Sequence, residues 1–240
     1  MLHRVAHRGY SAVAPENTLP AFAAATRAGA TYVEFDVRTS ADGVPVVIHD
    51  RTLERTTTGF GPVWEQPIDA LLALDAGAWF SPAHTGVRIP TLTETLSLLA
   101  PAETALLLEI KPPTTLEQVK AIVEQVHDHG LESRTVVQSF DPDVIALVRS
   151  ASPDLRRGLL RMSYADDTLD LALTLGVLTC NPPVADALTF PDTTATLRAA
   201  NIDVMPWIAN TPRDWPALTA TGVTGLITDH VGELTGWCSA

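Results

Sequence analysis

Glu34 and Asp36 stand two residues apart in Tyr32-Val33-Glu34-Phe35-Asp36-Val37, a run whose other members are apolar or aromatic. In an extended strand successive side chains take opposite faces, so the two carboxylates share one face and Val33, Phe35 and Val37 the other. Their Cα atoms then lie ~6.6 Å apart, twice the ~3.3 Å rise per residue, and both side chains can converge on one ion. Leu108-Glu109-Ile110-Lys111 repeats the pattern, with Glu109 and Lys111 on one face. A lone Glu-x-Asp is ordinarily a pair of strand-end charges balanced by Arg or Lys. Three carboxylates brought together at the ends of two strands repel each other and are costly to desolvate unless a cation or protons compensate. An all-oxygen ligand set suits Mg²⁺ or Ca²⁺, with Mn²⁺ also compatible, rather than Zn²⁺.

His7 and His49 each close a β-like run, in Arg4-Val5-Ala6-His7 and Val46-Val47-Ile48-His49. Two histidines form a natural acid–base pair near neutral pH, one taking a proton from a nucleophile and one giving a proton to a leaving oxygen. His84, His127, His129 and His230 have no such setting and read as ordinary surface or core residues. Arg8 and Lys111 add positive charge where an anion would sit. A cation, two bases and two cationic side chains together describe phosphoryl chemistry. Hydrolysis of a phosphodiester demands the upper part of the roughly 8–23 kcal/mol by which enzymes lower barriers. Electrostatic stabilisation is the contribution able to carry most of it.

The elements that must position these residues alternate along the chain. Strand-like runs fall at 3–7, 31–37, 44–49, 105–110, 135–138, 157–160, 177–180, 203–207 and 224–228, with helical patterns clearest at 18–28, 115–127, 142–150, 168–175, 193–200 and 212–220. Asp141 before Pro142 reads as an N-cap with Pro at the first helical position, and Gly29 and Gly130 read as helix stops. The join between Val37 and Val44 is too short for a parallel crossover, and its Asp42-Gly43 is a hairpin turn signal. The 44–48 run is therefore a hairpin arm folded back near the second strand. Eight strands remain, the pattern of an α/β TIM (β/α)₈ barrel near its usual length. A doubly wound open sheet is the rival, and its G-x-G-x-x-G fingerprint after the first strand is missing. Residues 51–90, rich in Thr, Gly and Pro and carrying Trp64, Trp79 and Phe80, are too long for a βα loop and too apolar for a linker. They read as a small inserted subdomain after the second strand, within a single barrel domain spanning 1–240.

The chain has 240 residues, 46% of them hydrophobic, and 16 − 28 = −12 formal charges. That excludes a disordered chain and argues against broad binding of nucleic acid or anionic lipid, while leaving a local anion site open. The two cysteines, Cys180 and Cys238, cannot build a disulfide framework. The N-terminus lacks signal-peptide features and no apolar run is long enough to span a bilayer, so a cytoplasmic protein without a stable membrane anchor is expected.

The ordered series His7-Arg8-Gly9, Pro15-Glu16-Asn17-Thr18, Glu34-Phe35-Asp36-Val37, Asp42-Gly43-Val44-Pro45-Val46-Val47-Ile48-His49-Asp50, Thr52-Leu53-Glu54-Arg55-Thr56-Thr57, Ile89-Pro90-Thr91-Leu92 and Leu108-Glu109-Ile110-Lys111 resembles the glycerophosphodiester phosphodiesterase family, a group of phospholipase C-like TIM barrels. Weaker echoes follow at Gln138-Ser139-Phe140, Trp207-Ile208-Ala209-Asn210 and Ile227-Thr228-Asp229. The resemblance covers essentially the whole chain. It implies a divalent metal on Glu34, Asp36 and Glu109, acid–base roles for His7 and His49, and phosphate contacts from Arg8 and Lys111. It further implies site-supporting, substrate-side roles for Glu16 and Asn17, with Phe140 and Trp207 as apolar walls for the alcohol groups. For Phe140 and Trp207 plain core packing is an equal alternative. The implied reaction is hydrolysis of a small-molecule glycerophosphodiester, such as glycerophosphocholine or glycerophosphoethanolamine, to sn-glycerol 3-phosphate and an alcohol. In related enzymes the glycerol hydroxyl next to the phosphate is thought to attack first. The chain departs from the family pattern at Ile208-Ala209 and at His230-Val231, which bears on substrate preference. Two alternatives remain: a lysophospholipase D-like enzyme on lipid phosphodiesters, which the −12 charge disfavours, and an inactive phosphodiester-binding barrel, which would be expected to lose a histidine or a metal carboxylate.

Overall fold

The computed structural model describes residues 2–240. In chain order the elements are β1 (His3–Ala6), α1 (Leu19–Arg27), β2 (Tyr32–Thr39), β3 (Pro45–Val47), α2 (Ile68–Leu72), α3 (Leu92–Leu99), β4 (Ala105–Ile110), α4 (Leu116–Asp128), β5 (Thr135–Ser139), α5 (Pro142–Ala151), β6 (Arg156–Leu160), α6 (Thr168–Leu175), β7 (Thr179–Asn181), α7 (Val184–Thr189), α8 (Pro191–Ala199), α9 (Trp215–Ala220), β8 (Gly225–Thr228) and α10 (Val231–Cys238). Local signals explain several boundaries. Thr91 and Thr115 form capping boxes with Glu94 and Gln118 at the starts of α3 and α4. Asp141 caps α5 through its bond from Asp143 N, with Pro142 at the first helical position.

The parallel strands run in the order β7-β6-β5-β4-β2-β1-β8, and β1 pairs with both β2 and β8. Residues 203–207, whose pattern predicts a regular strand, instead make isolated parallel bridges, Thr179 with Asp203 and Pro183 with Trp207. Pro206 has no N–H to give to a ladder, and the neighbouring Pro182 and Pro183 remove two more donors from the facing chain. The segment still closes the ring: Cys180 N donates to Asp203 O at 2.8 Å, and on the other side Ile227 N donates to Pro206 O at 3.1 Å. The result is an α/β TIM barrel.

β3 pairs antiparallel with β2, Val37 against Val47, as the Asp42-Gly43 turn predicts. The 51–90 segment that follows contains α2 and two single 3₁₀ turns. Val46, Ile48, Leu53, Val63, Leu71, Ala76 and Ile89 form an apolar cluster of their own there.

Inside the ring Val5, Leu107, Val136, Met205 and Ile227 form a buried floor against Tyr32 and Trp207. Each floor strand continues two residues further with a polar or aromatic side chain on the same face. Val5 is followed by His7, Tyr32 by Glu34, Leu107 by Glu109, Val136 by Gln138 and Met205 by Trp207. The alternation that fills the barrel thus also sets one layer of chemical groups on top of it.

Candidate active site

That layer opens into a cavity of about 250 Å³ lined by His7, Arg8, Glu34, His49, Glu109, Lys111, Gln138, Phe140, Leu160, Met162, Trp207, Ile208 and Ile227. At its base the carboxylates of Glu34, Asp36 and Glu109 come together, with one oxygen of each within 4.8 Å of the others. They are 3%, 1% and 5% exposed, so water does little to screen them. Lys111 Nζ lies 3.0 Å from Asp36 Oδ1 and 2.5 Å from Glu109 Oε1. Burial opposes ionisation of Asp36, but Lys111 and Arg8, helped by His49 and Asn17, outweigh it and hold the group well below the usual carboxylate range. Glu34 goes the other way: burial, then the charges of Asp36 and Glu109, push it well above that range. Burial and Asp36 push Glu109 up to about 7, against the pull of Lys111. Two carboxyls that resist ionisation beside one that is fully ionised make a donor set with room for a cation. The hard oxygen ligands fit a divalent ion of the Mg²⁺ or Ca²⁺ kind.

Arg8 follows β1 in a left-handed conformation, φ 55°, that a non-glycine residue adopts only at a cost of order 1–3 kcal/mol. Its surroundings hold it there. Arg8 N donates to Glu34 Oε2 at 2.8 Å, and Arg8 Nη1 donates to Glu16 Oε1 at 2.8 Å. Gly9 (φ 81°) comes next, and a Cβ on it would stand 2.8 Å from the backbone of Ala21. The Arg8 Nε is buried without a hydrogen-bond partner, 3.5 Å from Asp36 Oδ2. Burial works against the Arg8 charge, and Asp36, Glu16 and Glu34 more than restore it.

Each histidine has its Nδ1 on a carboxylate. His7 Nδ1 lies 2.6 Å from Asp229 Oδ1, and His49 Nδ1 lies 2.6 Å from Asp50 Oδ1. Asp229 also accepts from Ser11 Oγ at 2.8 Å and from Asn210 Nδ2 at 2.6 Å. Burial resists the Asp229 charge, and these partners hold its pKa well below the usual range. Asp50 is held low chiefly by Arg55, with His49 adding to it. An ionised carboxylate accepts only, so each Nδ1 is the donor and each Nε2 is left free of that bond. Burial lowers the His49 pKa against the pull of Asp36 and Asp50, and Lys111 and Arg8 add to the lowering.

Glu16 and Asn17 do not face this cavity. Glu16 bridges Arg8 to Arg55, accepting from Arg55 Nη1 and Nη2 at 2.8 Å each. Arg55 in turn reaches Asp50 at 2.6 Å through Nε. One chain of ion pairs therefore runs Arg8–Glu16–Arg55–Asp50–His49. Asn17, also left-handed at φ 56°, stands behind Asp36, donating to its Oδ2 at 2.7 Å and accepting from its N–H at 3.1 Å. Phe140 and Trp207 meet edge to face, ring centroids 5.4 Å apart, and line the cavity. The family-model comparison matches residues 7–233 to the glycerophosphoryl diester phosphodiesterase family.

The chain belongs to this family.

A glycerophosphodiester phosphodiesterase of Caldanaerobacter subterraneus is 31% identical over 227 residues, 94% of this chain and 93% of that protein. One of Bacillus subtilis is 29% identical over 246 residues, 94% of this chain and 83% of its own. Among solved structures, an Oleispira antarctica phosphodiesterase in complex with the product sn-glycerol-3-phosphate superposes with a TM-score of 0.94 at 27% identity, covering 99% of this chain and 97% of that one. The family is one of phosphoric diester hydrolases, and this member is an enzyme of that class. Among the described residues no helix is long and apolar enough to cross a membrane.

Within the family framework, Asp229, Asn210, Asp50 and Arg55 are visible in the sequence only as parts of motifs, without a task. Asp229 lies 222 positions from His7, and nothing in the sequence pairs them. Asp50 and Arg55 are five residues apart in a loop, a spacing that carries no pairing signal of its own. Of the residues that depart from the family pattern, Ile208 lines the cavity and is 37% exposed, beside Met162 at 72%.

Proposed function

We propose that this enzyme hydrolyses glycerophosphodiesters, such as glycerophosphocholine and glycerophosphoethanolamine, to sn-glycerol 3-phosphate and the free alcohol. The observation that carries the reading is the pair of histidines, each with Nδ1 on a carboxylate and each on the cavity that holds the acidic trio, Arg8 and Lys111. Glu34, Asp36 and Glu109 would hold a divalent cation, which supplies positive charge to the phosphoryl oxygens. Arg8 and Lys111 would bind the remaining anionic oxygens. One neutral imidazole takes the proton of the attacking hydroxyl or water at Nε2, and its carboxylate stabilises the imidazolium that forms. The other imidazole, protonated, delivers its Nε2 proton to the departing alkoxide, so the leaving group departs as an alcohol. Phe140 and Trp207 would wall the alcohol part of the substrate. The chain would work as one barrel unit, with residues 51–90 as a cap that reaches the site through Arg55.

The deciding assay follows products from glycerophosphocholine in the presence of Mg²⁺, Ca²⁺ or Mn²⁺ and after exhaustive chelation. Choline and glycerol 3-phosphate are expected, with activity lost on chelation and restored by added metal. Release of phosphocholine would overturn the bond assignment, and full activity after metal removal would overturn the metal site.

The exposed apolar side chains of Met162 and Ile208 on the cavity favour a second reading, the same cleavage on a monoacyl glycerophosphodiester. Choline release from lysophosphatidylcholine faster than from glycerophosphocholine would establish it.

The cap's contribution has its own test. Arg55→Met frees Glu16 and Asp50 together while leaving both histidines in place. We expect kcat to fall about tenfold, the scale of one charge-assisted hydrogen bond. Arg55 is 44% exposed, so thermal stability should change little. An unchanged kcat would remove Arg55 from the site's support.

A further inference from the structure

Gln138 stands on β5 beside Glu109 of β4, is 1% exposed and lines the cavity. Its protein partner is two strands away. Asn181, at the end of β7, reaches it over β6, where Gly158 pairs with Gln138 on one side and Thr179 on the other. A Cβ on Gly158 would stand 2.4 Å from Thr179 Oγ1 and 3.2 Å from Gln138 Cβ, so only glycine leaves the passage open. Through it Asn181 Nδ2 donates to Gln138 Oε1 at 2.9 Å.

The direction of that bond is set by a third group. The backbone N–H of Met205, which can only donate, bonds Asn181 Oδ1 at 3.0 Å. The Asn181 oxygen is thereby committed and its nitrogen must face Gln138. Gln138 then has to offer its oxygen to Asn181 and is left with Nε2, which donates to no protein group among the described residues. Around it the wall is mixed: Phe140, Leu160, Trp207 and Ile227 are apolar, and Glu109 and Lys111 are charged. That nitrogen opens onto the cavity, where a ligand acceptor can take the place of water.

We propose that Gln138 Nε2 is a recognition donor for a hydroxyl oxygen of the substrate's glycerol, locked in that orientation by Asn181; this rests on the glycerophosphodiester reading above. The anionic phosphate oxygens have Arg8 and Lys111. A neutral amide donor matches a neutral hydroxyl, and a site built to bond a hydroxyl rejects the analogue that lacks it.

The test compares binding of sn-glycerol 3-phosphate with that of n-propyl phosphate, which has the same carbon chain and no hydroxyls. Affinities are measured by titration calorimetry on the full chain with Mg²⁺, for wild type, Gln138→Met and Asn181→Ser. Wild type is expected to prefer sn-glycerol 3-phosphate. Gln138→Met should reduce that preference about tenfold, with the affinity for n-propyl phosphate within about twofold of wild type. Asn181→Ser, which keeps Gln138 but lets its amide rotate, should lose part of the preference. The ratio of two affinities does not depend on how much of a weakened variant is folded. An unchanged ratio in Gln138→Met, or equal losses for both ligands, overturns the proposal. If wild type cleaves glycerophosphocholine yet binds both ligands equally, this inference falls and the function stands. If wild type cleaves no glycerophosphodiester, the function falls and takes this inference with it.

Discussion

Replacing His7 with alanine is expected to lower kcat by about 10²–10⁴-fold, the range over which a positioned acid or base accelerates proton transfer. His49→Ala should fall in the same range, and the double variant should lose far less than the product of the two, because the groups act on one transition state. A p-nitrophenyl diester separates their roles. Its leaving group departs as a stable anion without a proton, so loss of the general acid is largely forgiven and loss of the base is not. Asp229→Asn adds a finer probe. The amide oxygen can still accept from His7 Nδ1, now 2.6 Å from the Asp229 carboxylate, but cannot stabilise the imidazolium as an ion does. Its effect should lie between wild type and His7→Ala, on kcat more than on KM. A His7→Ala enzyme within threefold of wild type would remove His7 from the chemistry.

The second large effect concerns the carboxylates. Mg²⁺ at about 100 times its Kd should stabilise the wild type by about 2.7 kcal/mol, which for a chain of this size raises Tm by about 5–10 °C. Glu34→Gln should abolish both that shift and the activity. Without metal the same substitution should raise Tm, since it removes one of three crowded acids, 3% exposed, whose ionisation burial and its neighbours oppose. A pH series adds the sign. Glu34 is raised and Glu109 is pushed up to about 7, so in the metal-free fold both ionise less readily, and below neutral pH Glu109 holds a proton that a cation must displace. Metal affinity should therefore rise with pH through the neutral range, and calorimetry should record proton release on binding. A metal affinity that is flat between pH 5.5 and 8, or a metal-induced Tm shift retained in Glu34→Gln, would be incompatible with this site.

The groups that strand alternation places are legible in the amino-acid order alone. Glu34 and Asp36 share a face because the strand period is two, and Asp42-Gly43 announces the antiparallel arm that leads to His49. Residues 203–207 have the pattern of a strand because Val204, Met205 and Trp207 are apolar. Periodicity does not register that Pro206 and its facing prolines lack the donors a ladder needs. What supports the site is not legible, because it depends on which distant residues close up on one another. Asp229 meets His7 only through the pairing of β1 with β8. Asn181 meets Gln138 only because Gly158 leaves the strand between them bare. The family resemblance puts Glu16 and Asn17 on the substrate's side; their contacts are with Asp36, Arg8 and Arg55, and Glu16 also lines a neighbouring pocket with His7, Arg8 and Ile208.

The closure of the ring by its first and last strands sets an order in time. Glu34, Asp36 and Glu109 lie on β2 and β4, in the first half of the chain. Asp229 follows β8 directly, so the His7 imidazole acquires its orienting partner only after nearly the whole polypeptide has emerged and the seam between β1 and β8 has zipped. A nascent or nicked chain lacking that last strand would carry Glu34, Asp36 and Glu109 yet leave His7 without its orienting carboxylate. On the proposed mechanism, full competence waits for completion of the barrel.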